Sequence, residues 1–279
     1  MAASTADIHL KQKQMDPKLV GLLTDLLERS AEEKRKRDAD LASGQDTRSW
    51  SVQQHASRAA WLLGIFQVVL IFLFATVATG AQGKNNAAMN SSWMTGQPGS
   101  ETQAYTMFIG VLIMMFVGFG YLMTFLKWYG LGAVGLTMLV TAIGLQWAMF
   151  TESFFDQAMN SARSWHEVPI NMYALLNALY AVSAVLITFG GLIGKVSPYQ
   201  LVIVTIIELA CHSVNYKVLM GSLNLQDMGG TYVDHMFGAY FGLTVAWVLG
   251  KPKSEPSMGT VPDVFSLVGT VFLWIYWPR

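Results

Sequence analysis

Charge is scarce in this chain. Only 13% of its 279 residues are Asp, Glu, Lys or Arg, against about a quarter in ordinary soluble domains, and that scarcity argues against a water-soluble globular protein. A single cysteine, Cys211, allows no intrachain disulfide and leaves the redox compartment unmarked. The formal net charge is zero, so there is no basic excess to neutralise a phosphate backbone, and nucleic acid is not an expected partner. No apolar run precedes residue 59; a cleavable signal peptide would need one near the start, so the first span is expected to act as an uncleaved anchor. Also missing are a nucleophile–base–orienter set, a phosphate-binding glycine loop and a metal-ligand spacing, and Cys211 beside His212 reads as packing. No enzyme activity, cofactor or metal is therefore expected.

What the chain has instead is apolar surface. Hydrophobic residues make up 53% of it and mean hydropathy is +0.38, the profile of a multi-pass membrane protein. Residues 1–58 hold ten of the eighteen Lys/Arg and nine of the eighteen Asp/Glu. They form a charged tail, expected to be exposed and mobile over 31–58. Within it, Leu19, Leu22, Leu23, Leu26 and Leu27 recur at helical spacing behind Asp16 and Pro17, predicting a short amphipathic helix over 16–29. From residue 59 the chain reads as one membrane domain to 279, with seven apolar runs at about 59–80, 105–126, 131–151, 172–194, 198–220, 231–249 and 261–278, each near bilayer-spanning length. The fold expected is all-α, a polytopic membrane helix bundle.

One stretch places ionisable groups where hydrocarbon should be. In Asp227-Met-Gly-Gly-Thr-Tyr-Val-Asp-His-Met-Phe-Gly-Ala-Tyr-Phe-Gly-Leu243, a helix starting near Thr231 carries His235 into a span. Ionisable groups at that depth are costly and face a bundle interior or a water-filled path. His235 is thus either a pore group or a core histidine bonded to a neighbouring carbonyl. Gly238 and Gly242, four apart, predict close packing of this helix on another. In the fifth run Glu208, His212 and Asn215 fall at i, i+4 and i+7, a polar stripe that must point into the bundle; interhelical hydrogen bonding that fixes packing is its preferred reading over transport. Lys217 and Asp234, joined by a short loop, are expected to pair.

Lysine and arginine in the connectors balance between the two sides, so the tail decides orientation. Arg48 and Arg58 beside the first span put the N-terminus in the cytoplasm under the positive-inside rule. Asn90-Ser-Ser92, a glycosylation triplet, then lies outside, in the polar loop over 81–104.

Three further segments add specificity: Met115-Phe-Val-Gly-Phe-Gly-Tyr-Leu-Met-Thr-Phe-Leu126, Phe189-Gly-Gly-Leu-Ile-Gly-Lys-Val-Ser-Pro-Tyr-Gln-Leu201 and Asp263-Val-Phe-Ser-Leu-Val-Gly-Thr-Val-Phe-Leu-Trp-Ile-Tyr-Trp-Pro278. With the His235 stretch, in unbroken order, they resemble the Rh glycoproteins, the Rhesus branch of the ammonium transporter family. The resemblance implies a trimer, each protomer holding a narrow apolar pore between two inverted five-helix halves. It implies ammonium and ammonia as solute, the lipid bilayer as setting, and the plasma membrane as location. Asp227 would support the outer part of the helix and ammonium entry, and His235 would be the first of two pore histidines. Imidazole suits that role, because it offers a nitrogen donor and acceptor without fixed charge. Tyr180 stands where the family places the first phenylalanine of a gate at the pore mouth. Tyr216 replaces a usual glutamate, and Asp234 replaces an apolar residue and would favour a charged imidazole if it faced the same way as His235. The chain ends where the sixth family helix finishes, so only the first inverted repeat is expected. A non-transporting subunit that modulates a full-length relative, in a hetero-oligomer, is the alternative to transport. A seven-span retinal protein is opposed by the lack of lysine in the last run.

Overall fold

The computed structural model describes residues 47–79, 101–126, 129–159, 168–251 and 259–276, together with Glu28 and Glu32. The chain divides into two compact units, residues 1–54 and 55–279. In the first, Glu28, Glu32 and residues 47–54 are helical; the amphipathic helix expected over 16–29 otherwise lies outside the described residues, as does Asn90. The second unit is a helical bundle.

Seven helical rods run through the described residues from Thr47 onward. Helix α1 is Thr47–Val77, beginning twelve residues ahead of the run expected at 59. Residues 47–58 contain neither Gly nor Pro, so nothing in the sequence stops the helix from growing back out of the apolar span. Helix α2, residues 101–125, starts as Glu101–Ile113, widens into a π segment at Met114–Phe119 and tightens into a 3-10 turn at Met123–Phe125. Helix α3 is Gly130–Met159; its 30 residues at about 1.5 Å each exceed the hydrocarbon thickness. Helix α4 is Met172–Leu192, capped by Asn171, whose side chain accepts from the Ala174 amide at 2.8 Å. Helix α5 is Pro198–Tyr216, with a π extension at Lys217–Ser222. It opens on Pro198 and a reciprocal Ser197–Gln200 capping box, which satisfies amides that would otherwise be orphaned. Helix α6, residues 231–249, is a π segment, Thr231–Met236, leading into Phe237–Leu249. Helix α7 is Thr260–Tyr276. Five of these segments are long and apolar enough to cross a membrane.

Burial identifies α4 as the hub. Leu176, Ala178, Leu179, Val182, Ala184, Val185, Leu186 and Leu192 are all fully or almost fully buried, and α2, α3, α5 and α6 all pack on it. A helix surrounded this way needs an apolar circumference. At the periphery, α1 touches α3 through Leu70, packed with Phe150, and through edge-to-face rings, Phe66 on Trp147 and Phe74 on Phe150. Elsewhere on it Ile65, Val68 and Phe72 are exposed, as befits a surface bathed in lipid. A two-residue parallel pairing that the sequence pattern did not suggest, Ala78–Thr79 with Val168–Pro169, ties the end of α1 to the approach to α4. Helix α7 crosses α2 where both are glycine. A Cβ at Gly269 would strike α2 backbone at Leu122 and Gly118, and one at Gly118 would sit 2.9 Å from Leu273.

The approach of α6 to α4 is equally close. A Cβ at Gly238 would lie 2.5 Å from the Ala184 carbonyl oxygen, and one at Gly242 2.9 Å from the Thr188 Cα. Each step of four on α6 matches a step of four on α4, so the two helices run in the same direction with fixed register. Because the clash is with backbone, it cannot be relieved by a rotamer change. Gly238→Leu is expected to cost about 1–3 kcal/mol and to lower the melting midpoint in detergent. Gly132→Ala, whose added methyl meets nothing within 4 Å, is expected to leave it unchanged. Equal midpoints in a circular-dichroism melt would remove the close approach from the list of stabilising contacts.

Candidate functional site

The site gathers at one end of the bundle, where α3 and α5 finish and α4 and α6 begin. The start of α6 is shaped by two glycines in the left-handed region, Gly229 at φ 65° and Gly230 at φ 67°, a conformation that other residues adopt only with strain. This turn folds Asp227 back over the helix it precedes. Its carboxylate accepts from the Tyr232 amide at 3.0 and 3.1 Å and from the Val233 amide at 2.8 Å, and the residue is 6% exposed. Amides at a helix start have no partner within the helix, and an anion there also meets the positive end of the helix dipole. Asp227 thus caps the start of α6.

Two residues further on, the polar groups separate onto different faces. Asp234 is 3% exposed and His212 on α5 is 1% exposed; His212 Nε2 lies 2.9 Å from Asp234 Oδ1. Asp234 therefore points at α5, not toward His235, since neighbouring helical positions diverge by about 100°. The expected Lys217–Asp234 pair is not formed. Lys217 instead pairs with Asp156 on α3, which its position in the π extension of α5 brings within reach. His235 itself is half-buried, and its Nδ1 bonds the Gly230 carbonyl oxygen at 3.1 Å.

Of the stripe on α5, Glu208 and His212 are buried, while Asn215 is only partly so. Glu208 Oε1 is 2.5 Å from the Thr188 hydroxyl on α4, which is also 2.8 Å from the Gly238 carbonyl on α6. The stripe thus knits three helices. Cys211, expected to pack, is exposed on the outside of the bundle.

Tyr180 is half-buried one turn before Ala184 on α4, so the register that sets Gly238 over Ala184 sets Asp234 beside Tyr180. Together with Glu152, Asn177, Ala181, His212, Tyr216 and Val233 they line a small cavity. His212 was legible as a bundle-facing residue from its i, i+4 relation to Glu208. Its partner was not, because that depends on the α5–α6 register. Among the described residues no group of three His, Cys, Asp or Glu side chains could hold a metal ion.

Removing the Asp227 cap has a local consequence. Asp227→Ala is expected to cost about 1 kcal/mol and to speed hydrogen exchange at the Tyr232 and Val233 amides about fivefold, that energy expressed as a ratio at 25 °C. Unchanged exchange at those amides would show that the cap contributes nothing.

Comparison with known proteins places this geometry. Residues 38–279 match the Ammonium Transporter Family. The chain is 42% identical over 179 residues to ammonium transporter Rh type C of Xenopus laevis, covering 62% of this chain and 37% of that protein. To the Rh type C protein of Sus scrofa it is 36% identical over 228 residues, covering 77% of this chain and 47% of the relative. A solved structure of Nitrosomonas europaea Rh50, described with the mechanism of conduction by the Rhesus family of channels, superposes with a TM-score of 0.56 at 28% identity, covering 63% of this chain and 47% of that one. The chain therefore spans less than half the length of these relatives. A helical membrane bundle whose glycine-bracketed α6 carries Asp227 and His235, matched to this family over most of its length, belongs to the Ammonium Transporter Family, in its Rh branch.

Proposed function

We propose that this chain serves ammonium/ammonia movement across a membrane, supplying the helices that carry Asp227, Tyr180 and His235 to a conduction path. The observation that supports this most directly is the start of α6. There a carboxylate caps the helix, while an imidazole eight residues later stays half-buried, with its Nδ1 bonded to the Gly230 carbonyl oxygen. Ammonium is strongly hydrated and crosses hydrocarbon at high cost. A conduit must replace that hydration with acceptors and then pass neutral ammonia, and an uncharged imidazole can accept, donate and relay a proton without repelling the cation. Tyr180, at the mouth of this region, offers an aromatic face to a cation.

In this reading the solute is ammonium or ammonia, the setting is the plasma membrane with the N-terminus cytoplasmic, and the assembly is a homotrimer or a hetero-oligomer with a full-length relative. The hetero-oligomer has its own support. Along α6, Tyr240, Leu243 and Trp247 are 68%, 67% and 81% exposed, a continuous apolar face beside His235 that needs lipid or further protein against it. The second reading is therefore a subunit that does not conduct alone but alters the flux of a full-length Rh protein.

The test is reconstitution of the full chain into liposomes, with internal pH followed by stopped-flow after an ammonium jump. If the chain conducts, His235→Ala is expected to reduce the rate about tenfold, the equivalent of ~1.4 kcal/mol of lost solute stabilisation. An undiminished rate in that variant would remove His235 from the path. A silent wild-type chain that changes the flux of co-reconstituted Rh type C protein would establish the modulator instead.

A further inference from the structure

The first turn of α6 leaves its own rotation open. It is a π segment, Thr231–Met236, a form that is rare and occurs mostly as single turns, frequently at functional sites. At its end the Phe237 amide is shared between the Tyr232 and Asp234 carbonyls, five and three residues back, where a regular α-helix uses the one carbonyl four back. Two ways of closing the turn are present at once, and they differ in how far the side chains of residues 232–236 are turned about the helix axis. Backbone hydrogen bonds do not choose between them, so the choice falls to side chains.

His212 makes that choice from the neighbouring helix. Its ring, almost wholly buried on α5, meets α6 on both sides of His235 in the sequence. Nε2 lies 2.9 Å from Asp234 Oδ1, and the ring packs edge-to-face on Phe237 with centroids 5.5 Å apart. Nδ1 has no hydrogen-bond partner, so Asp234 is the polar contact on which the ring is spent. The second carboxylate oxygen of Asp234 lies over Gly230, where a Cβ would collide with it. Gly230 is in turn the residue whose carbonyl oxygen bonds His235 Nδ1 at 3.1 Å. A continuous chain of contacts therefore runs from α5 to the imidazole, from His212 to Asp234, from Asp234 to Gly230, and from Gly230 to His235.

We infer that His212 is a positioning residue for His235: by holding Asp234 it fixes the rotation of the first turn of α6, and with it the hydrogen bond that aims the His235 ring. His212 itself touches no solute in this scheme. The inference rests on the transport reading only for the use to which the aimed ring is put. Stability alone does not account for the pair, because a well-packed apolar pair of similar volume is often as stable, whereas selecting one geometry among several is the best-attested use of buried polar groups.

The test reads the tautomer of His235, which does not depend on flux. The full chain, labelled with 15N-histidine, is held in detergent micelles at about pH 8.5, where an ordinary imidazole is neutral, and the His235 signals are identified by their loss in His235→Ala. A carbonyl oxygen only accepts, so a neutral ring bonded to Gly230 carries its proton on Nδ1. That form is expected in the wild type and in His212→Gln, whose amide nitrogen stands near the place of Nε2 and still donates to Asp234. It is expected to be lost in His212→Phe, which keeps a ring against Phe237 but has no donor. His212→Phe also strands a buried carboxylate and lowers the melting midpoint. The double variant His212→Phe/Asp234→Leu removes both polar partners and is expected to recover the midpoint without recovering the tautomer, which separates aim from stability. A wild-type His235 protonated on Nε2, an unchanged tautomer in His212→Phe, a tautomer that returns with the midpoint in the double variant, or a double variant that does not fold would each overturn the positioning role. A chain silent in liposomes, both alone and beside Rh type C protein, removes the transport reading and leaves the tautomer result as it stands. A conducting chain whose His235 tautomer ignores His212→Phe overturns this inference alone.

Discussion

The backbone-to-backbone approach of α6 to α4 is the constraint on which the site depends. Gly238 over Ala184 and Gly242 over Thr188 leave no room for a side chain, and in a bundle surrounded by lipid such packing takes the place of hydrophobic burial as the force that holds helices together. Fixing the two contacts fixes the register one turn earlier, where Asp234 comes beside Tyr180. It also brings the Gly238 carbonyl to the Thr188 hydroxyl at 2.8 Å. A bulkier α6 would lose the contact and, with it, the position of every polar group that the helix carries.

Within that frame the polar side chains are distributed so that most have a defined partner. Asp227 spends its charge on two orphaned amides of α6, Lys217 on Asp156, and Asp234 on His212. Thr188 holds Glu208 against α4. Each of these bonds joins different helices or closes a helix end, the two places where a membrane bundle can satisfy buried polar groups without water. The His212 Nδ1 atom is an exception.

Much of this was legible in residue order, and the reasons are physical. Apolar runs gave the helices, because a chain in hydrocarbon must satisfy its own backbone and has little choice but helix; seven runs were expected at spanning length, and among the described residues five helices reach it. The glycine pair at 238 and 242 announced the close contact, since no other residue type permits it. Where the reading fell short, the missing information was register. Lys217 and Asp234 are close along the chain, and proximity suggested a pair; the three-dimensional partner of each is on another helix, at Asp156 and His212. The start of α1 at Thr47 was missed for a different reason. Polar residues end a hydrophobic run but do not end a helix, and only Gly, Pro or a cap would have marked the boundary.

The separation of Asp234 from His235 has a consequence for the imidazole in the proposed path. Had the carboxylate faced His235, it would have favoured the imidazolium form, and a fixed positive charge would repel the cation the path admits. Adjacent positions on α6 diverge by about 100°, and the register with α5 commits Asp234 to His212 at 2.9 Å. His235 Nδ1 bonds the Gly230 carbonyl oxygen instead, a partner without formal charge. The substitution that looked disruptive in the sequence is thus absorbed by a second histidine on the neighbouring helix. The two histidines thus have different partners: buried His212 takes Asp234, and half-buried His235 takes the Gly230 carbonyl.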